Sequence, residues 1–286
     1  MRPSHSQSRH PVRLEWGAEA ALALTRHALE GGASVYAVVV DVLSFSTSVT
    51  VAADAGLTVL PYRWGQDGAR AFADERSAVL AQPRSHTLDG GISLSPKSIR
   101  DTNVTSAIVL PSPNGSTIAE KLAGCGAVVV VAALRNRAAV GRWLARRLIG
   151  THDPPQDGGT VVILVPAGER WPDGSLRPAV EDLWGAGGVA AAVIQQLEGR
   201  FDGYPASRLF SPEAATACSA YTAVIGAPDR LTAGLAASAS GRELIDSGWP
   251  EDVAIAGELD HSRSVPVLTG GAFRPEPSLP DGRPEG

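Results

Sequence analysis

The chain has 286 residues, of which 44% are hydrophobic and 19% charged, and this composition excludes fibrous, collagen-like and wholly disordered proteins. The formal net charge of -5 argues against a broad basic surface, so we expect no nucleic-acid partner. The longest purely apolar run, Ala127 to Leu134, is far shorter than the roughly 20 residues of a membrane-spanning helix, so we expect no membrane partner. Two widely spaced cysteines and the lack of an apolar secretory signal predict reduced thiols and a cytoplasmic location.

Short β-branched runs alternate along the chain with alanine-rich stretches of helical periodicity. This pattern predicts an α/β protein, a three-layer α/β/α sandwich around a mostly parallel or mixed sheet. The predicted strands are Val35–Val40, Leu57–Tyr62, Ala107–Leu110, Ala127–Ala132, Val161–Val165 and Val253–Ala256. The predicted helices are Ser46–Ala55, Asp67–Ala78, Ser116–Ala123, Arg137–Leu148, Val180–Glu198 and Pro212–Val224.

The two chain ends differ from the segment between them. Residues 1–10 are polar without periodicity and residues 272–286 are rich in proline, so both are predicted to be disordered tails. Residues 11–271 are predicted to form a single domain, because no linker divides them. Two segments interrupt the alternation inside it: Pro83–Thr105, long enough to be a functional loop, and Thr151–Gly159, typical of a surface connection.

Candidate site residues follow the predicted strands, because ligands of open α/β sheets bind outside the carboxyl ends of the strands. Asp41 follows the strand Val35–Val40, and Ser46 and Thr47 begin the next helix. A carboxylate beside hydroxyl groups at a helix start suits Mg²⁺ next to a phosphate. The residues are equally consistent with Asp41 or Ser46 acting only as a helix cap.

Two further groups lie where a predicted strand is followed by a helix. Asn114, Gly115 and Ser116 combine a tight turn with backbone N–H groups and a hydroxyl, which favours an anion site, although a capped turn has the same pattern. Arg135 and Asn136 are suited to clamping and orienting an anion. They are also typical of a solvated helix start.

The last group follows the strand Val161–Val165. Gly168 lies just beyond that strand, and Glu181 and Asp182 precede a glycine-rich helix. Adjacent acids at a helix start interact favourably with the helix dipole, and they are also suitable oxygen ligands for a metal held by Asp41. Together the groups bring Asp, Asn, Ser and Arg to one predicted sheet edge, which indicates a Mg²⁺-dependent site for a small phosphorylated acid.

In this order, the residues resemble the 2-phosphosulfolactate phosphatase family of coenzyme M biosynthesis, often called the ComB family. The resemblance spans roughly Val35 to Leu268, and its motifs are Val38-Val39-Val40-Asp41-Val42-Leu43, Pro113-Asn114-Gly115-Ser116, Asn136-x-x-Ala139-Val140, Ala167-Gly168, Glu181-Asp182 with Ala186-Gly187, Gly241-Arg242-Glu243-Leu244, Asp252-Val253 and Asp260. It implies a cytoplasmic, Mg²⁺-dependent phosphoric monoester hydrolase with an α/β/α fold. The implied substrate is a small sulfonated or carboxylated phosphoester.

Three departures from the family pattern concern the substrate. Ser44 stands where the family usually has Arg, Leu94 stands where it has Asn, and a Glu-Arg-Gly-Gly stretch is not recognisable around Pro83-Arg84-Ser85. These departures allow a phosphatase of a different phosphorylated hydroxy acid. They also allow a catalytically silent relative that binds a small anion.

The leading hypothesis is a phosphatase acting on 2-phosphosulfolactate or a close analogue, with the oligomeric state, including a homo-oligomer, left open. The predicted metal ligands are Asp41, Glu181 and Asp182. The predicted catalytic residues are Asp41, Asn114 and Asn136, and the predicted substrate-binding residues are Ser46, Thr47, Gly115, Ser116, Arg135 and Gly168.

Overall fold

The computed structural model describes residues 5–65, 67–86, 91–104, 106–149, 158–201, 205–227 and 229–276. Within these residues the strands are β1 (Val12–Leu14), β2 (Ser34–Val40), β3 (Thr58–Arg63), β4 (Val79–Leu80), β5 (Ala107–Ser112), β6 (Val128–Ala132), β7 (Thr160–Pro166), β8 (Glu169–Arg170), β9 (Leu176–Arg177), β10 (Pro266–Thr269) and β11 (Ala272–Pro275). Nine of them form one mixed sheet in the order β1-β7-β2-β6-β10-β11-β3-β5-β4, and β8 and β9 form a separate hairpin. The predicted mixed-sheet α/β class is therefore confirmed.

The helices of the same residues cover both faces of the sheet. They are α1 (Gly17–Glu30), α2 (Phe45–Asp54), α3 (Ala69–Glu75), α4 (Pro96–Arg100), α5 (Gly115–Gly124), α6 (Arg137–Leu148), α7 (Val180–Leu197), α8 (Pro212–Ile225), α9 (Arg230–Ala237), α10 (Ala239–Asp246) and α11 (Pro250–Ala256). Successive side chains of a strand point to opposite faces. Val38 and Val40 of β2 accordingly join the core formed with α6, α7 and α8, whereas Ala37 and Val39 join the core formed with α1, α2 and α5.

The sheet contains two groups of parallel strands with opposite directions. Strands β1, β7, β2 and β6 are parallel neighbours, and β3, β5 and β4 are also parallel to one another. The antiparallel hairpin of β10 and β11 joins the groups, with β10 antiparallel to β6 and β11 antiparallel to β3. Strand β5 therefore runs opposite to β2, β6 and β7, although the Gly115 N–H that follows β5 still reaches the Asp41 carboxylate that follows β2.

One predicted strand is a helix. Val253–Ala256 forms the second half of α11, which has Pro250 in its first turn together with Glu251 and Asp252. Proline at the first helical position and acids in the first turn both favour a helix start. An apolar run of four residues is compatible with a strand or a helix. The preceding Pro250, Glu251 and Asp252 favour the helix here.

The carboxy-terminal tail begins later than predicted, because Ala272–Pro275 is β11 of the central sheet and Phe273 is buried. The amino-terminal boundary also shifts. The Gln7 side chain exchanges two hydrogen bonds with the backbone of Leu14, and Ser6 is buried. Residues 1–4 and 277–286 of the predicted tails, and most of the predicted connection Thr151–Gly159, lie outside the described residues.

The sequence pattern also left α1, α9, α10 and the hairpin of β10 and β11 unassigned. The prediction of a single domain over residues 11–271 stays a prediction. Among the described helices, none combines the length and hydropathy required of a membrane span.

Candidate active site

Asp41 is the first residue after β2, and its carboxylate connects two helix starts. Its Oδ1 atom accepts a hydrogen bond from the Phe45 N–H at 3.2 Å, and its Oδ2 atom accepts one from the Gly115 N–H at 3.1 Å. The Asp41 N–H donates in turn to Ser46 Oγ at 2.9 Å. Since Asp41 is only 6% exposed, this buried carboxylate fixes the start of α5 against the start of α2.

Asp182 and Glu181 bring the first turn of α7 to the same place. Asp182 accepts hydrogen bonds from the Val42 N–H at 2.7 Å and from the Gly168 N–H at 2.9 Å, so it connects the loops after β2 and β7. Glu181 is 2% exposed, and no described residue donates a hydrogen bond to its carboxylate. A carboxylate on a residue with so little exposed surface is poorly solvated, and a cation would offset the cost of its negative charge.

The Asn114-Gly115 turn supplies the third side of the site. Asn114 Nδ2 donates to Glu169 Oε2 at 3.0 Å, which connects the start of α5 to the β8 strand. Glycine is required at position 115 because a Cβ atom there would lie 2.1 Å from Cδ1 of Phe45. The close approach of this turn to α2 is what allows the Gly115 N–H to reach Asp41.

The carboxyl groups of this acidic cluster, Asp41, Glu169, Glu181 and Asp182, repel one another in a buried environment. The pKa of Asp41 is raised to about 7, mainly by burial and also by the charges of Glu169 and Glu181, against the lowering effect of two backbone hydrogen bonds. Burial is also the main cause of the raised pKa of Asp182, followed by repulsion from Asp41 and Glu181. Burial raises the pKa of Glu169, opposed by the hydrogen bond from Asn114. Such clusters of perturbed acids are typical of functional sites.

The acidic cluster lies within the part of the sequence that matches a known protein family. The sequence model of the 2-phosphosulpholactate phosphatase family matches residues 23–271. The chain belongs to this family. No curated protein matched the sequence in a separate comparison. The resemblance drawn from the short motifs is therefore confirmed, and the family is one of phosphatases.

From the sequence prediction, the structure brings together Asp41, Asn114, Gly115, Glu181 and Asp182. Gly168 also belongs there, with a positive φ of 66° that suits glycine. The Gly115 N–H donates a hydrogen bond to Asp41, and the Gly168 N–H donates one to Asp182. Both glycines were predicted to bind substrate, and in the structure their N–H groups position these carboxylates.

The three predicted hydroxyl ligands have a different role from the one expected. Ser46 Oγ donates to the Val39 carbonyl, Thr47 Oγ1 to the Val42 carbonyl and Ser116 Oγ to the Leu110 carbonyl, at 3.2, 2.7 and 2.8 Å. All three residues are fully buried. A hydroxyl proton that is committed to a backbone carbonyl cannot also bind a phosphoryl oxygen. These side chains hold the loops that carry Asp41 and Gly115.

Arg135 and Asn136 lie away from the acidic cluster, contrary to the prediction. Arg135 is 1% exposed and forms ion pairs with Asp54 at 3.1 Å and Glu258 at 3.0 Å, so its side chain reaches the far end of α2. Asn136 accepts a hydrogen bond from the Ala133 N–H and donates to the Ser264 and Val131 carbonyls. Both side chains stabilise the segment after β6.

Sequence reasoning missed two charged side chains near the site. Glu169 directly follows the predicted Gly168, and its contact with Asn114 had no signal in the sequence. Arg84 donates through Nη2 to Ser44 Oγ at 2.6 Å and through Nε to the buried carboxylate of Asp252 at 3.0 Å. It therefore places a cation at the start of α2, from the segment that was predicted to be a functional loop.

Proposed function

We propose that this chain is a Mg²⁺-dependent phosphoric monoester hydrolase that acts on the phosphate ester of a small hydroxy acid, 2-phosphosulfolactate or a close analogue. The observation that carries the proposal is the buried acidic cluster of Asp41, Glu181 and Asp182 in a member of a phosphatase family. The lone carboxylate of Glu181 and the raised pKa values of both aspartates support a cation there. Coenzyme M biosynthesis and a cytoplasmic location belong to the same proposal.

The acidic cluster fits Mg²⁺ better than a metal that needs a complete protein cage. The described residues contain no group of three His, Cys, Asp or Glu side chains arranged to hold a metal on their own. Magnesium usually takes one or two carboxylates and completes its shell with water and substrate phosphate. One or two of the carboxylates of Asp41, Asp182 and Glu181 would hold the ion, with water and substrate phosphate as its other ligands, and the ion would offset negative charge on the phosphoryl group in the transition state.

The remaining side chains would bind and protonate the ester. Asn114 positions Glu169 through the 3.0 Å hydrogen bond between them. Glu169, partly exposed and with a raised pKa, is suited to deliver a proton to the ester oxygen as the P–O bond breaks. Arg84, held by Asp252 and Ser44, supplies positive charge for an anionic group of the substrate at the start of α2.

The test is phosphate release from a panel of phosphorylated hydroxy acids, including 2-phosphosulfolactate, with Mg²⁺ and with a chelator. We expect release that requires Mg²⁺ and is lost in Asp41→Asn. The exposed Asp246 provides a matched control, and Asp246→Asn should retain activity. Equal turnover by Asp41→Asn would contradict the proposal.

The same panel separates the alternative functions. Release from another phosphorylated hydroxy acid but not from 2-phosphosulfolactate would identify a phosphatase of different specificity. Thermal stabilisation by these compounds without any release would favour a catalytically silent anion-binding protein. One observation favours that second function. The hydroxyl groups of Ser46, Thr47 and Ser116 donate to backbone carbonyls, which leaves fewer donors for a phosphate.

A further inference from the structure

A cavity of about 260 Å³ lies between the start of α1, the start of α5 and the hairpin of β8 and β9. Asn114 and Glu169 line it, and these two residues also belong to the proposed catalytic site. The cavity therefore begins at the side chain that is suited to protonate the leaving oxygen. In a phosphate ester, that oxygen connects the phosphoryl group to the organic part of the molecule, so the organic part must extend from this point.

The cavity is lined mainly by apolar groups. Its walls include the indole of Trp16 and the aliphatic side chains of Ile118 and Leu176. Its charged residues are two acids, Glu19 and Glu169, and one base, Arg170. Glu19 is ion-paired with Lys121, and Arg170 Nη1 donates to the Gly174 carbonyl. Because the walls are mainly apolar, the cavity favours an uncharged substituent over a sulfonate or second carboxylate, which would lose its hydration there.

The volume suits a ring or a branched alkyl group. An apolar cavity of about 150 Å³ is large enough to bind benzene. The cavity of about 260 Å³ thus has more room than a methyl group or hydrogen would use. A ring or branched alkyl group in the cavity would bury apolar surface and so add binding energy, which a substrate with only a methyl group or hydrogen there cannot supply.

We propose that this cavity binds the apolar substituent of the organic group, so that the preferred substrate is the phosphate ester of a hydroxy acid with an aryl or branched-alkyl side chain. The inference rests on the proposed phosphatase function and names its substrate class. The carboxylate of such a substrate remains outside the cavity, where Arg84 supplies a cation. A sulfonated side chain is the less favourable occupant.

The test compares kcat/KM for the phosphate esters of 3-phenyllactate, lactate and sulfolactate. We expect the phenyl ester to exceed each of the others by about tenfold or more. Ala18 lines the cavity from α1, and Ala18→Phe should reduce the phenyl-to-lactate ratio by about tenfold. Ala23 is exposed on the same helix outside the cavity, and Ala23→Phe should leave the ratio unchanged. Leu176→Ala, which removes a wall without filling the cavity, should also lower the ratio.

A binding measurement distinguishes failure of this inference from failure of the phosphatase function. Unphosphorylated 3-phenyllactate should raise the melting temperature of the unmodified protein more than lactate does, and Ala18→Phe should abolish the difference. Phosphate release with equal ratios for the three esters, or a preference for the sulfonate, would overturn the inference and leave the phosphatase function standing. Absence of any release together with selective stabilisation by 3-phenyllactate would overturn the phosphatase function and retain the apolar site. Absence of both would overturn both.

Discussion

Gly115→Ala tests the contact that brings Asn114 and Asp41 into one site. The added Cβ atom would lie 2.1, 2.5 and 2.8 Å from Cδ1, Cγ and Cβ of Phe45, all far inside normal contact distance. Phe45 cannot easily move, because it is buried and its ring packs edge-on against Phe273 with centroids 6.1 Å apart. Overpacking of this kind costs about 1–3 kcal/mol, and a strained hydrogen bond to Asp41 adds about 1 kcal/mol.

Gly124→Ala is the matched control at the other end of the same helix. A Cβ atom at Gly124 would have no heavy atom within 4 Å, so the substitution should be neutral or stabilising by up to about 1 kcal/mol. Urea unfolding of both variants measures the difference, which we expect to be about 2–5 kcal/mol in favour of Gly124→Ala. Phosphate release should also fall in Gly115→Ala, because movement of Phe45 displaces both donors of Asp41. Equal unfolding free energies for the two variants would refute the reasoning.

Three further predictions concern charge. Because Asp41 and Asp182 have raised pKa values in the folded state, the folded metal-free protein binds more protons than the unfolded chain, and its unfolding free energy should fall as pH rises from about 4 to about 7. The stabilisation by Mg²⁺ in thermal melts should be larger at pH 8 than at pH 6, because the ion competes with protons for these carboxylates. The opposite trend with pH would contradict the raised pKa values. Arg135→Met should lower the unfolding free energy by about 3 kcal/mol without a change in KM, because it breaks a buried ion-pair network. A raised KM with unchanged stability would instead show that Arg135 binds substrate. Glu169→Gln should lower kcat much more than it raises KM and should remove the alkaline limb of the pH profile, whereas an unchanged profile would exclude Glu169 as the proton donor.

The central sheet was largely predictable because its strands are continuous apolar runs. Val35–Val40 and Val161–Val165 were placed within a residue of β2 and β7, since both faces of these strands are buried and the pattern is unambiguous. The hairpin of β10 and β11 was missed because its strands are only four residues long and contain prolines at their ends. Short polar-flanked strands carry too weak a pattern to separate them from loops.

The acidic cluster was predictable in part, because Asp41, Glu181 and Asp182 stand at strand ends and helix starts that parallel neighbours bring together. The predicted hydroxyl and arginine side chains have protein partners in the structure, for a geometric reason. A Ser or Thr at a helix start can turn its hydroxyl to a ligand or to a nearby carbonyl, and the spacing along the chain is the same for both. The long-range partners of Arg135 are likewise set by the packing of α2 and the segment after α11, which no local pattern reports.

The most direct test of the proposed magnesium-dependent phosphatase activity is phosphate release as a function of Mg²⁺ concentration in Glu181→Gln. Since the Glu181 carboxylate accepts no hydrogen bond from a described residue, the amide should not destabilise the fold, and any loss reports on the cation. Glu213→Gln, an exposed change in the first turn of α8, is the control. We predict that half-activation of Glu181→Gln needs at least about tenfold more Mg²⁺ than the unmodified protein and the control, a loss of about 1.4 kcal/mol. Identical activation curves, or full activity with a chelator, would contradict the account.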